Sequence, residues 1–327
     1  MRVLITGGTG FIGGKLAAAL LREGTFTLDD GAARRIERIT LFDAGSGEGI
    51  PQDPRVEVVT GDITDAATVR WLARDADLVW HLAAVVSAAA EADFDLGMAV
   101  NVDGTRLLLE ALRATGRRPR LVFTSGFAVF GGELPGVVTD ETAPTPQTSY
   151  GMEKAVGELL VADYSRKGFV DGRSLRLPTI VVRPGRPNKA ASAFASSIIR
   201  EPLAGHEAVC PVPRDTAIYI LSPRRAIEAL LRAMQLADAA WGVNRTLSLP
   251  GITVTIGEML DTLAAVAGEA VVGRVRIAPD PAIQRIVESW PVRVEARRAK
   301  ALGFAADGSF EEIVRSHIED ELQETVR

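Results

Sequence analysis

Tyr150 and Lys154 stand four residues apart in the run Tyr150-Gly151-Met152-Glu153-Lys154, a spacing that puts both side chains on one face of a helix. An ammonium beside a phenol favours the phenolate, which brings a weak acid within range of proton transfer near neutral pH. An ordinary amphipathic helix opening on a tyrosine has the same spacing, so the surroundings must decide. A second cluster, Arg183-Pro184-Gly185-Arg186-Pro187-Asn188-Lys189, gathers three cations, an amide and two prolines. It suits a small anionic substrate, because a guanidinium grips a carboxylate through two parallel hydrogen bonds. Arg183 or Arg186 could equally serve a structural ion pair. A third stretch, Thr6-Gly7-Gly8-Thr9-Gly10-Phe11-Ile12-Gly13, carries glycines at a three-residue spacing. Gly7 would permit a tight turn, Gly10 a close approach of backbone to a pyrophosphate, and Gly13 close packing of the following helix.

The segments that must position these residues alternate between strand and helix. An apolar strand at 3–5 precedes the glycine turn and an Ala/Leu-rich helix at 15–21 follows it, the context that turns a glycine pattern into the first βα turn of a dinucleotide-binding fold. Ile39-Thr40-Leu41-Phe42 forms a second strand ending at Asp43. A carboxylate there accepts both ribose hydroxyls of an adenosine and repels a 2′-phosphate, which favours NAD over NADP; a turn cap before Gly45 is the alternative. A third strand at 55–59 runs into Gly61-Asp62-Ile63, where Asp62 either accepts from an adenine amino group, with Ile63 against the ring, or caps the helix at 66–73. The fourth strand, 77–81, ends in His81-Leu82-Ala83-Ala84. Small residues at 83 and 84 admit a flat or phosphorylated ligand, whereas His81 reads as a packed, hydrogen-bonded side chain. A helix at 100–112 with Asn101 near its start, a fifth strand from 120 leading to Thr124-Ser125-Gly126, the Tyr150 helix through 164 and a sixth strand over 174–182 complete the alternation. Beyond about 190 it fades, with helices expected at 223–237 and 256–267.

The fold class expected is therefore α/β, a Rossmann-type doubly wound parallel sheet with a smaller C-terminal α/β substrate domain. The boundary is expected near 185, with 215–245 returning to the first domain and 186–327 mainly binding substrate. A chain of 327 residues is long enough for both. The formal net charge of −5 offers no basic field for nucleic acid. The lone Cys210 excludes an intramolecular disulfide and a cysteine-based zinc site, which suits a reducing cytoplasm. The apolar run 78–90 is too short for a membrane span and is broken by His81 and Ser87; a first strand beginning beside Met1 leaves no room for a signal peptide. Apolar residues at 107–112 and 155–161 exceed what one sheet face requires, so a homodimer through paired helices is an expectation, with burial beneath the second domain as its alternative.

Taken in order, TGGTGFIG, Asp43, GDITD, HLAA, NVDGT, YGMEK and RPG resemble the extended short-chain dehydrogenase/reductase family, over essentially the full chain. The resemblance implies NAD held by Gly7, Gly10, Phe11, Ile12, Asp43, Asp62, Ile63, Ala83 and Lys154, with Pro178 and Ile180 near the nicotinamide amide. Gly13 and Ala84 join that set from the reading above. It implies Tyr150 as the general base and Lys154 as the group that holds the ribose and the tyrosinate. Its substrate-orienting hydroxyl falls on Gly126, one residue after Ser125. Three expectations follow: Ser125 reaches in from a shifted loop, other groups orient the substrate, or catalysis is impaired. The strings LRLPTIVVRPGRPNKAASAF and REPLAGHEAVCPVPRD narrow the resemblance to a branch acting on small sugar acids. That implies oxidation of D-erythronate at C2, with Ser125, Tyr150, Arg183, Arg186 and Asn188 on the substrate. The alternatives are a nucleotide-sugar epimerase or dehydratase and an NAD-binding protein without turnover.

Overall fold

The computed structural model describes residues 1–45, 47, 50–185 and 191–322, and the chain divides into two units. The first comprises Met1–Val129, Thr148–Arg176 and Ile227–Ser248; the second Phe130–Gln147, Leu177–Ala226 and Leu249–Arg327.

The first unit is built on a seven-stranded sheet: β1 (Arg2–Thr6), β2 (Arg38–Asp43), β3 (Val56–Thr60), β4 (Leu78–His81), β5 (Arg120–Gly126), β6 (Asp171–Leu177) and β7 (Thr246–Ser248), in the order β7-β6-β5-β4-β1-β2-β3. The registered pairs run parallel, so this is the Rossmann-type α/β sheet. Val3, Leu4 and Ile5 are all buried because a parallel sheet with helices on its faces hides both sides of its inner strands. The chain returns to β1 from opposite directions through β2 and β4, and the crevice at that reversal opens beyond the strands' C-terminal ends.

Helices serving this sheet include α1 (Phe11–Glu23), α2 (Ala66–Ala73), α3 (Thr105–Ala114) and α4 (Ser149–Arg166), and the helix Pro223–Gln235 accepts from Trp80 Nε1 of β4 at the Leu230 carbonyl, 3.0 Å. Leu108, Leu109 and Leu112 of α3 pack with Val69 and Leu72 of α2, Leu121 and Phe123 of β5 and Val161 of α4, each such side chain contributing about 1.5–3 kcal/mol. A π-helical turn, Met98–Gly104, runs directly into α3, so the single helix expected from residue 100 is two helical elements in series. Asp65 caps α2 by accepting from the backbone N–H of Ala67 and Thr68 at 3.1 and 3.2 Å, and Thr148 caps α4 by accepting from Gly151 at 3.1 Å.

The sixth strand stops at Leu177 rather than at 182. Pro178 has no N–H for a ladder, and beyond it Thr179–Ile180 joins a different sheet, parallel to Ala217–Leu221, which pairs antiparallel with Ile252–Thr255. That departure sets the boundary between units at 176/177 rather than near 185, while 227–248 returns to the first unit. The second unit packs helices Ala193–Leu203, Ile256–Ala267 and Phe310–His317 around Val181, Ile198, Ile220, Leu260 and Ile313. Among the described residues no helix is long and apolar enough to cross a membrane.

Candidate active site

Thr148 ends the α4 backbone in an extended conformation and caps it, which fixes Tyr150 in the helix's first turn. N–H groups of this first turn are engaged, Ser149 with Glu91, Gly151 with the Thr148 hydroxyl and Met152 with the Thr148 carbonyl, and the helix dipole at this end favours negative charge nearby. One turn on, Lys154 is 3% exposed. Its Nζ donates to the Thr124 carbonyl at 2.9 Å and lies 5.6 Å from the Tyr150 ring centroid and 4.8 Å from that of Phe123. Burial pushes the Lys154 ammonium down to about 8, against the opposing pull of Glu153 and Glu158.

Ser125 lies beneath the same helix. Its hydroxyl is buried and donates to Glu158 Oε1 at 2.6 Å, while Arg176 donates to both oxygens of Glu158 at 2.8 and 2.6 Å. Gly126 presents no side chain at the position where the resemblance expects a hydroxyl, and the neighbouring one at Ser125 is held by this carboxylate.

The glycine turn is tight and closely packed. Gly7 takes φ +67°, and a Cβ there would come within 2.7 Å of the Ala83 nitrogen; a Cβ at Gly13 would meet the carbonyl oxygens of Gly7 and Gly8 at 2.6 Å. Gly10 precedes α1 with no side-chain cap, and no acidic residue stands in the first turn, so the exposed N–H groups suit an anion. Phe11 and Ile12 open the helix and are partly exposed. Asp43 ends β2, where Oδ2 accepts from Thr9 N at 3.1 Å and Oδ1 from Ala44 N at 2.8 Å. Its carboxylate is thereby aimed over the glycine turn. Asp62 accepts from Thr64 N at 2.8 Å and does not cap α2, a task that falls to Asp65. Ile63 is buried against Gly104, whose Cβ would approach it to 2.8 Å.

His81 ties these parts together and is 1% exposed. Thr105 Oγ1 donates to the Asn101 carbonyl at 2.7 Å, so it must accept from His81 Nε2–H at 2.9 Å. His81 Nδ1 then accepts from Thr6 Oγ1 at 2.6 Å, and Thr6 Oγ1 in turn accepts from Ala83 N at 3.3 Å. The tautomer follows from the bonding pattern. Burial, then the Lys154 charge, pushes the imidazole down to about 3, so His81 is a neutral structural link, as its sequence context suggested. Asn101 holds the next residues by accepting from Val85 N at 2.8 Å and donating to Val85 O at 3.0 Å. The loop through Ala83 and Ala84 is therefore fixed at both ends.

In the second unit, Pro178 is buried and Ile180 partly exposed. Gly251 leaves room beside Pro178, 3.2 Å from a Cβ placed there. Arg183 donates its backbone N–H to Ser196 Oγ at 3.0 Å and its guanidinium to Ser192 Oγ at 3.2 Å. Arg186, Asn188 and Lys189 lie outside the described residues. No cluster of metal-ligating side chains occurs among the described residues.

Residues 3–247 match the NAD dependent epimerase/dehydratase family. The chain belongs to that family. Among similar proteins is a D-erythronate dehydrogenase of Cupriavidus necator, 54% identical over 321 residues and covering 98% of each chain. A D-erythronate dehydrogenase of Haemophilus influenzae is 42% identical over 98% of this chain and 100% of its own. The crystal structure of a nucleoside-diphosphate-sugar epimerase from Agrobacterium tumefaciens superposes with a TM-score of 0.91 at 44% identity, covering 100% of this chain and 96% of that one.

One buried residue beside the lysine had no role in the sequence reading. Glu153 is fully buried and accepts from Asn101 Nδ2 at 2.5 Å, so the lysine's sequence neighbour reaches the loop-holding amide. The buried residues of α4 are Gly151, Glu153, Lys154, Gly157, Glu158 and Val161, and no sequence pattern distinguished Glu153 from an ordinary solvated helix glutamate.

Proposed function

We propose that this protein is an NAD-dependent dehydrogenase that oxidises the C2 hydroxyl of D-erythronate to 2-dehydro-D-erythronate. The observation that carries the reading is the buried Lys154 ammonium, pinned to the Thr124 carbonyl and 5.6 Å from the ring of Tyr150 at a helix N-terminus. The two D-erythronate dehydrogenases similar over nearly the whole chain support the substrate.

Tyr150, as phenolate, removes the C2 hydroxyl proton while a hydride leaves the same carbon. Lys154 stabilises the phenolate and would hold a ribose hydroxyl. The residues proposed to hold NAD are Gly7, Gly10, Phe11, Ile12, Gly13, Asp43, Asp62, Ile63, Ala83 and Ala84, and Pro178 and Ile180 are proposed for the nicotinamide amide. When bound, the cofactor supplies the hydride acceptor. Arg183, Arg186 and Asn188 are the proposed partners of the sugar acid's carboxylate and distal hydroxyls. Ser125 is proposed to contribute a hydroxyl when it exchanges Glu158 for the substrate.

The test is NADH absorbance on mixing the protein with NAD and D-erythronate. Net NADH is expected; none with this acid removes the assignment. The Tyr150→Phe variant is expected to lose at least about 10²-fold in turnover while calorimetry still shows NAD binding, and wild-type turnover in that variant would remove the base. The similarity to a nucleoside-diphosphate-sugar epimerase favours a second reading, in which the hydride is returned and a sugar nucleotide changes configuration without net NADH. The glycine at position 126 favours a third, NAD binding without turnover, which calorimetric binding and silence across four- and six-carbon acids would support.

A further inference from the structure

Lys154 shares the buried face of α4 with two carboxylates, Glu153 and Glu158, whose surroundings differ. Glu158 is neutralised where it stands, since Arg176 grips both of its oxygens and Ser125 donates to one. Glu153 has no cation within ion-pair distance among the described residues. Its Oε2 accepts from Asn101 Nδ2 at 2.5 Å, and its Oε1 has no hydrogen-bond partner. Oε1 occupies the space where a Cβ at position 97 would stand, which Gly97 leaves open. A buried carboxylate with one neutral donor is costly unless an opposite charge lies close by. The buried opposite charge is Lys154, and its own partners are a neutral carbonyl and two aromatic faces.

We infer that Glu153 is the countercharge of Lys154, a positioning residue that keeps the lysine an ammonium and so keeps the Tyr150 phenolate supported. The inference rests on the proton-transfer reading of Tyr150 and Lys154 given above. Successive helix residues project about 100° apart, so the pair acts through the low-dielectric interior rather than as a contact ion pair. Burial lowers Lys154 to about 8, and Glu153, followed by Glu158, opposes that fall. The other charges on elements packed against α4 are spoken for. Arg176 on β6 is paired with Glu158, and Glu110 on α3 accepts from Tyr164 and pairs with Arg113. Asp103 pairs with Arg106 at the surface, and Glu91 is exposed and accepts from Ser149 N. Asp93 and Asp95 are exposed, His81 on β4 is neutral, and β5 offers only Thr124 and Ser125 at this level.

The experiment reads the lysine directly. The chain has five lysines, so 13Cε-lysine labelling gives a spectrum in which the Lys154 resonance is assigned by its loss in Lys154→Met. Its midpoint is expected near 8 in the wild type and lower by about one pH unit or more in Glu153→Gln and Glu153→Met. Glu153→Asp, which keeps the charge, is expected to stay within about half a unit of the wild type. The methionine variant removes the carboxylate without creating a buried polar orphan, so it carries the test should the glutamine variant fail to fold. A Lys154 midpoint unmoved in a folded charge-removing variant overturns the inference. In the wild type and the same variants, the alkaline limb of kcat/KM for erythronate oxidation is expected to move to lower pH together with the resonance. A purely structural Glu153 would lower the rate at every pH and leave the limb in place. Failure of the wild type to oxidise erythronate sinks the functional reading, while the lysine titration still decides the role of Glu153.

Discussion

Charges are buried at two levels of the first unit, and they are arranged differently. At the start of β6, Asp171 is fully engaged: Oδ2 receives Arg173 at 2.5 Å and Arg120 at 3.1 Å, and Oδ1 receives Arg245 at 2.7 Å. The arginines continue outward, Arg173 to the carbonyls of Ala233, Met234 and Leu236 and Arg245 to Gly172 and Asp238. At the other end of the sheet, beyond β5, Lys154 has one carbonyl and two rings, and Glu153 keeps an oxygen without a partner. The first arrangement joins chain segments far apart in sequence and leaves little room for a proton to move. The second holds its charges incompletely solvated, the condition under which an amine or phenol titrates near neutral pH. The contrast lies in the carboxylates: three arginines share Asp171, although Arg173 Nε has no partner, whereas no cation pairs with Glu153 among the described residues.

The largest effect that tests this contrast is expected at Asp171. In Asp171→Ala, Arg173 and Arg245 lose a shared anion while remaining buried, and stability in urea is expected to fall by about 3–5 kcal/mol. The Lys154 titration midpoint and the pH profile of the surviving activity are expected to stay where they are. A shifted profile would mean that the two levels are electrostatically one network, and the contrast would fail.

A comparable effect, spread over pH, is expected at His81. Its folded value near 3 lies below the free imidazole's 6.5. Between those limits the unfolded chain binds a proton that the folded chain refuses. Stability is therefore complete above 6.5 and falls as pH drops toward 3, by up to roughly 5 kcal/mol from this group at 1.36 kcal/mol per unit. In His81→Phe, which keeps a ring against Phe123, the acid dependence of the urea midpoint is expected to lose about one proton's worth of slope. An unchanged slope would show that His81 is protonated in the fold and donates from both ring nitrogens, to Thr6 and to Thr105.

What the sequence could reveal follows the same division. The alternation of apolar strands with periodic helices made the sheet legible, because burial on both faces leaves unbroken apolar runs such as 3–5 and 78–80. The glycine turn, Asp43 and the Tyr150–Lys154 spacing were legible because backbone approach and helix phase restrict the residue types allowed. The end of β6 was not, since the apolar run 175–182 continues straight across Pro178 while the chain changes sheets. Nor was the inner face of α4. Periodicity places leucines inward, yet Leu159 is 71% exposed while Glu153, Lys154 and Glu158 are buried. Their burial depends on partners at 85, 101, 124, 125 and 176, and no local pattern encodes contacts at such separations.

The smallest effect, and the one that sharpens the boundary between scaffold and chemistry, is expected at Ser125. Its hydroxyl sits next to the glycine that replaces the family's expected side chain, yet it is committed to Glu158 at 2.6 Å beside the two Arg176 bonds. If that bond is chiefly structural, Ser125→Ala removes one donor from an already paired carboxylate. Stability then falls by about 1 kcal/mol and kcat/KM by less than about tenfold, which is under 1.4 kcal/mol of transition-state stabilisation. If the hydroxyl instead leaves Glu158 to orient the substrate, its loss resembles removal of a donor aimed at the reacting oxygen, and kcat falls by about 10²–10³. The two outcomes differ by more than an order of magnitude and are read from one steady-state comparison at fixed pH. The smaller loss would assign Ser125 to the scaffold and leave substrate orientation to Tyr150 and the carboxylate partners. The larger would show that a paired group at this end of the sheet can still be released for catalysis, which the arrangement around Asp171 does not permit.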